Sequence, residues 1–239
     1  MKGSLAVVMP ALDEEESIGR VLDAIPRELG ATAVVVDNGS TDRTAEVARA
    51  HGAVVVSEPR RGYGQACLRG LAACRELGPP RLVCFIDADL SDDPAEMPLV
   101  VGPILREEAE LVIGTRIRGE TDRGALLPHA RFGNVLATFL LRVFFGARYT
   151  DLGPFRAITW RALERIGMRD RDFGWTVEMQ VRAALAGIRH VEVPVHYRKR
   201  GGGRSKISGT VKGTILAGWK ILSTIAIVAL TGGRGRGAP

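Results

Sequence analysis

Three cysteines among 239 residues are too few to staple a fold. Cys67, Cys74 and Cys84 form an odd set without metal-ligand pairing, which fits a reduced, cytoplasmic compartment. The four histidines, His51, His129, His190 and His196, show no zinc spacing, so a zinc hydrolase is excluded. No apolar run reaches the roughly 20 residues of a membrane span, and a mean hydropathy of +0.06 leaves no room for several spans. The N-terminus carries no signal peptide of usual form, and no export is expected. The most pointed absence is of acid. Residues 193–239 contain no Asp or Glu but nine Lys and Arg, so the formal charge of +6 leaves −3 for everything before Val193. A mildly acidic body with a basic tail predicts an anionic partner at the C-terminal end.

What is present is an alternation of short apolar runs and helical periods. Residues 4–9, 33–37, 53–57, 82–87 and 111–115 read as buried strands, rich in Val and Ile. Ile18, Val21, Leu22, Ile25 and Leu29 recur at helical spacing between the first two, and Leu68, Leu71 and Ala72 do so later. The pattern predicts an α/β protein with a doubly wound, mostly parallel sheet whose ligands sit outside the carboxyl ends of the strands.

Beyond Thr115 comes a loop rich in Arg, Gly and Asp (116–131), then a helix over 134–145 that is apolar nearly all round and suits either a core or a lipid surface. A strand at 155–159, a helix at 176–186, a strand at 190–195 and a basic loop at 198–206 complete a single catalytic domain, 1–206. The remainder, 207–239, is a basic, apolar tail. Lys212 and Lys220 interrupt it, which predicts an interfacial helical segment with snorkelling lysines, a single crossing being the alternative.

Acids follow three strand ends: Asp13 and Glu14, then Asp37, then Asp87 and Asp89. By the crevice rule they converge on one edge of the sheet. Asp87-Ala88-Asp89, directly after an apolar strand, can hold a hard divalent cation together with a diphosphate. A dinucleotide-binding domain would carry a Gly-rich turn after the first strand, where this chain has Pro10-Ala11-Leu12-Asp13-Glu14; there is no P-loop either. Both folds are excluded.

The order of Val7-Val8-Met9-Pro10-Ala11-Leu12-Asp13-Glu14-Glu15, Val34-Val35-Val36-Asp37-Asn38-Gly39-Ser40, Arg61-Gly62-Tyr63-Gly64 and Asp87-Ala88-Asp89 resembles the inverting family 2 glycosyltransferases of GT-A fold. Gly114-Thr115-Arg116, Asp151-Leu152-Gly153-Pro154-Phe155-Arg156, Glu178 and the Arg200 to Lys206 loop are similar to one branch, the polyprenyl-phosphate sugar synthases. The resemblance implies that Pro10, Leu12, Glu14 and Asp37 hold the nucleoside, with Asp87 and Ala88 lining the nucleotide-sugar site. It places Asp87 and Asp89 at a Mg²⁺ or Mn²⁺ ion. Arg116 and Arg131 match basic positions near the phosphates, and Arg200 and Lys206 match a loop that closes over them. Ser91 stands where the family often has Gln, so it would ligate the metal through its hydroxyl or a water. Asn38 replaces the more usual second acid of its motif.

The implied reaction moves a hexose from a nucleotide diphosphate sugar, UDP-glucose or GDP-mannose in type, to a polyprenyl or dolichyl phosphate. That acceptor carries about −1.5 to −2 charge at neutral pH and needs no dedicated base. Screening two anions from each other is the task, which Asp89 with its metal, Arg116, Arg131, Arg200 and Lys206 would perform. An anionic cytoplasmic membrane face, met by the tail and the 134–145 helix, is the expected docking partner. Transfer to a polysaccharide, glycolipid or protein is the rival enzymatic reading. An anion- or RNA-binding module is the non-enzymatic one; it leaves the converging acids unexplained, and no nucleic-acid partner is expected.

Overall fold

Seven strands form, β1 (Leu5–Ala11), β2 (Thr32–Asp37), β3 (Val54–Ser57), β4 (Leu82–Phe85), β5 (Leu111–Thr115), β6 (Arg156–Thr159) and β7 (His190–Pro194), in a computed structural model that describes residues 5–201 and Ser223. They join one sheet in the order β3-β2-β1-β4-β6-β5-β7. All pairings are parallel except those of β6, which runs antiparallel to both β4 and β5. The expected basic loop beyond Gly201, with Lys206 and the tail, lies outside the described residues.

Strict alternation sends side chains of one strand to two separate cores. Ala6, Val8, Val34 and Val36 face one layer, which α3 (Tyr63–Glu76), α5 (Pro128–Phe145), α6 (Trp160–Ile166) and α7 (Trp175–Leu185) complete. Val7, Met9 and Val35 face the other, with α1 (Ile18–Asp23), α2 (Thr44–Ala50) and α4 (Met97–Leu105). With both faces covered, β4 and β5 are buried along their whole length, as their continuous apolar runs require. Close approach sets the spacing of α3 on the sheet: a Cβ on Gly70 would lie 2.5 Å from Val8 Cγ1. Gly70→Ala therefore overpacks this layer, at a cost of about 1–3 kcal/mol.

Helix α5 is inside out. Its buried residues are Asn134, Ala137, Thr138 and Leu141, while Phe132, Val135, Phe139, Val143 and Phe144 are 57–70% exposed. The inward polar groups are satisfied. Asn134 Nδ2 donates to Thr150 O at 2.9 Å, its Oδ1 accepts from Leu152 N at 2.8 Å, and Thr138 Oγ1 donates to Asn134 O at 2.9 Å. Of the two environments open to this helix from its composition, the core takes only a narrow stripe and leaves the phenylalanines outside. No helix among the described residues is long and apolar enough to cross a membrane.

Candidate active site

The carboxyl ends of β1, β2 and β4 open onto a cavity of about 460 Å³, lined among others by Pro10, Leu12, Glu14, Asp87, Ala88, Asp89 and Arg200. Its floor comes from short loops that hold each other. After β1, Asp13 adopts a φ of 50° and its Oδ1 accepts from Thr41 N at 2.7 Å, while Asp13 N donates to Ser40 Oγ at 3.0 Å. Glu14 N donates to Thr44 Oγ1 at 2.7 Å. Asp37 Oδ1 accepts from Ser40 N at 2.9 Å on the same turn, and the half-buried residue is not among those lining the cavity. Asp42 caps its own turn, accepting from Thr44 N and Glu15 N.

Asn38 is also architectural. Its Nδ2 donates to the carbonyls of Glu58 and Arg60, both at 2.8 Å, and its Oδ1 accepts from Gly62 N at 2.9 Å. These bonds pin the loop that delivers Tyr63 to the cavity. An aspartate could not donate the first two, which gives the amide at this position a physical reason. Gly62 has φ 148°, and a Cβ there would meet Arg171 O at 2.2 Å. The loop thus packs directly on residues 170–172, which receive hydrogen bonds from Gly64 N and Gln65 N at the start of α3.

At the end of β4, Tyr63 Oη donates to Asp87 Oδ1 at 3.0 Å. Burial and then the neighbouring Asp89 push the Asp87 carboxyl up to about 7. Leu90 takes a left-handed φ of 63°, so the chain reverses and Ser91 returns to Asp89 Oδ1 through its N–H (2.9 Å) and hydroxyl (2.6 Å). Ser91 is 2% exposed and does not line the cavity; it orients Asp89. The other oxygen, Asp89 Oδ2, meets Arg200 Nη1 at 2.7 Å, and Arg200 Nη2 also contacts Glu14. Burial raises the Glu14 carboxyl above its ordinary value, and Arg200 offsets only part of the rise.

A third acid of this loop, Asp92, is buried with neither carboxylate oxygen hydrogen-bonded among the described residues, and burial holds it well above the usual carboxylate range.

Arg116 and Arg131 lie apart from this cavity, on a neighbouring one of about 390 Å³ with Arg123. Arg116 is not a loose cation. Its Nε and Nη2 donate to the two oxygens of Asp151 at 2.9 and 2.7 Å, and its guanidinium stacks 5.0 Å from the Tyr197 ring centre. The Asp151 to Arg156 run exists for this: Asp151 is fully buried, and the buried Arg156 donates to the carbonyls of Leu152, Gly153 and Thr176. Arg131, on the first turn of α5, is exposed. The charge of Arg116 still reaches Asp87, whose carboxyl it lowers.

Among the residues lining the larger cavity, Tyr63, present in the sequence only as part of its motif, and Asp172 and Phe173 have no role assigned from the sequence. The last two ride on a loop fixed by Glu178, which is 3% exposed and accepts from Arg169 N (3.0 Å), Asp170 N (2.7 Å) and Arg182 Nε (2.7 Å). Glu178 is therefore a positioning residue. The signal for it in the sequence was its match to the family pattern, with Arg182 four residues on.

Several known proteins resemble this chain in sequence and fold. A family model described as glycosyl transferase family 2 matches residues 6–167. An uncharacterized glycosyltransferase of Mycobacterium tuberculosis is 43% identical over 224 residues, covering 92% of this chain and 98% of the relative. The undecaprenyl-phosphate mannosyltransferase of Micrococcus luteus is 32% identical over 221 residues, 86% of this chain and 88% of the relative. Among solved structures, the glucosyl-3-phosphoglycerate synthase of Mycobacterium tuberculosis, in complex with Mn²⁺, uridine diphosphate and phosphoglyceric acid, superposes with a TM-score of 0.71 at 26% identity, over 93% of this chain and 78% of that one. The sheet with its acid pair after β4 is the GT-A fold, and this chain belongs to glycosyl transferase family 2.

Proposed function

We propose that this chain transfers a hexosyl group from a nucleoside diphosphate sugar to a polyprenyl phosphate at the cytoplasmic face of a membrane. The observation that carries the reading is a pair of cavities linked through Arg116, whose charge reaches Asp87: one holds the β4 acids and Arg200, the other is lined by Arg116, Arg123 and Arg131, the last on the inside-out helix α5. The first suits a nucleoside diphosphate with a hard cation, the second a phosphate monoester. The relative from Micrococcus luteus, named for undecaprenyl phosphate, supports this acceptor class.

Asp87 and Asp89 fit a divalent ion. They offer hard oxygens at one strand end, and both face the larger cavity. Among the described residues no cluster of three or more His, Cys, Asp or Glu could hold a metal. Two carboxylates make only part of a shell, which suits Mg²⁺ or Mn²⁺ sharing ligands with phosphate oxygens and water. The ion would neutralise the leaving diphosphate.

Each remaining task falls to side chains. Ser91 and Tyr63 hold the two carboxylates, while Asp151 and Tyr197 hold Arg116 as a fixed positive charge for the acceptor phosphate. The incoming phosphate oxygen attacks the anomeric carbon as the bond to the diphosphate breaks, inverting that centre. Because the acceptor is already ionised, no proton need be removed, and the architecture spends its charges on holding two anions together.

Docking rests on α5. From Arg123 to Thr150 the chain has no acid and carries Arg123, Arg131, Arg142 and Arg148, while the α5 phenylalanines face out. An apolar stripe beside basic residues matches an anionic bilayer surface. The double variant Phe132→Ser/Phe139→Ser should lose sedimentation with anionic vesicles while keeping turnover on a short-chain, water-soluble prenyl phosphate. Unchanged vesicle binding contradicts this orientation. The phosphoglyceric acid in the related synthase supports a second reading, a soluble phosphorylated acceptor. It leaves the α5 stripe without a purpose.

A further inference from the structure

We infer that Arg200 is the resident counter-ion of the acid pair: it occupies Asp89 in the free enzyme and must be exchanged from Asp89 to the donor diphosphate when a divalent cation binds. This rests on the metal-and-donor reading of the larger cavity and assigns a regulation to it.

Both oxygens of Asp89 are already engaged. Ser91 takes Oδ1 with two donors, and Arg200 takes Oδ2 at 2.7 Å. A cation entering through Asp89 has only the Arg200-bound oxygen to claim, and a guanidinium and a divalent ion cannot share it without strong repulsion. The arginine is held in place by its surroundings. Arg198 N donates to Ser91 O at 2.7 Å, Gly201 N donates to Asp89 O at 2.8 Å, and Arg20 Nη2 donates to Gly201 O at 2.7 Å. The segment is thus zipped backbone to backbone along the 89–91 loop, with the guanidinium bridging Asp89 and Glu14.

The bridge answers an electrostatic need. Glu14, Asp87 and Asp89 face one cavity, three carboxylates within a single pocket. The Arg200 guanidinium, in contact with both Glu14 and Asp89, is the positive charge set between them. A divalent ion makes that charge redundant at Asp89. A diphosphate arriving with the ion offers the freed guanidinium a bidentate anion a short side-chain rotation away. Metal and donor are therefore coupled: either alone must work against the Asp89–Arg200 pair, and together they dissolve it.

The test is Mn²⁺ binding to the purified full chain, followed by electron paramagnetic resonance, with and without UDP or GDP, whichever the wild-type chain binds. Arg200→Ala should tighten Mn²⁺ alone by about tenfold, the equivalent of one charge-assisted bond no longer opposing it. It should also erase most of the extra Mn²⁺ affinity that the nucleotide confers on the wild type. Arg200→Lys, which keeps the charge but lacks the planar fork that engages Glu14 and Asp89 through separate nitrogens, should fall between. Arg61→Ala removes a charge from the same cavity wall without touching Asp89 and should change Mn²⁺ affinity by less than about twofold. Circular dichroism of each variant confirms folding. Unchanged or weaker Mn²⁺ binding in Arg200→Ala, or equal tightening in Arg61→Ala, overturns the exchange. Absence of Mn²⁺ binding in the wild type even with nucleotide overturns the metal-and-donor reading itself.

Discussion

Replacing Asp87 by Asn should make this protein more stable and less active at once. Burial and Asp89 raise its carboxyl from 3.8 to about 7, so in the folded state it resists ionising. The sign follows. Below the unfolded value both states are protonated and nothing is lost; as pH rises the unfolded chain ionises first, and folding stability falls until the folded group ionises near 7. At about 1.36 kcal/mol per pH unit the full interval is worth about 4 kcal/mol. Asp87 keeps part of its surface against the open cavity, and halving for that gives about 2 kcal/mol near pH 8. Asn retains an oxygen to accept from Tyr63, so that contact survives. For a chain of this size the gain is about 4–8 °C in melting temperature. Thermal unfolding with a chelator present, near pH 8 and near pH 5, measures it. The account predicts a higher midpoint for Asp87→Asn at the higher pH and less than half that gain at the lower. A lower midpoint at pH 8, or an equal gain at both, would refute the reasoning.

Other substitutions separate chemistry from architecture. Asp89→Asn should nearly abolish turnover while circular dichroism stays native, since it halves the charge of the acid pair; retained activity with wild-type metal dependence sinks the assignment. Glu178→Gln leaves the Arg182 guanidinium and the Arg169 and Asp170 N–H groups short of an anion. It should cost about 2–4 kcal/mol in denaturant unfolding and raise the donor KM, because Asp172 and Phe173 lose their support. Arg116→Lys keeps charge but forfeits the paired bonds to Asp151 and the stack on Tyr197, so kcat with lipid acceptor should fall more than tenfold, with donor affinity nearly unchanged. A matching loss in donor affinity would move Arg116 into the nucleotide site.

Much of this was legible in the sequence because parallel strands buried on both faces leave an unmistakable mark. Residues 33–37 and 111–115 recur as β2 and β5 within a residue. The first strand runs past Met9 to Ala11, since Pro10 can still accept through its carbonyl in a parallel ladder. The antiparallel insertion of β6 was not legible, because strand direction depends on where the chain re-enters the sheet and leaves no local trace. Pro10, Leu12, Glu14, Asp87, Ala88, Asp89 and Arg200 do meet in one cavity. Asp37 and Ser91 do not line it and bond to Ser40 N and Asp89, while Arg116 and Arg131 line the second cavity. Tyr63 appeared in its motif without a role, and Asp172 and Phe173 went unseen, because their place depends on loop-to-loop contacts at Gly62 and Gly64, which no periodicity records. Lys206 lies outside the described residues.

The central claim is the acceptor. The full chain, incubated with polyprenyl phosphate in anionic vesicles, Mg²⁺ or Mn²⁺ and a panel of sugar nucleotides, should yield a single hexosyl polyprenyl phosphate by mass spectrometry, with product formation stopped by a chelator. Transfer to phosphoglyceric acid in place of the lipid, or lipid product formed equally well in chelator, would contradict the account.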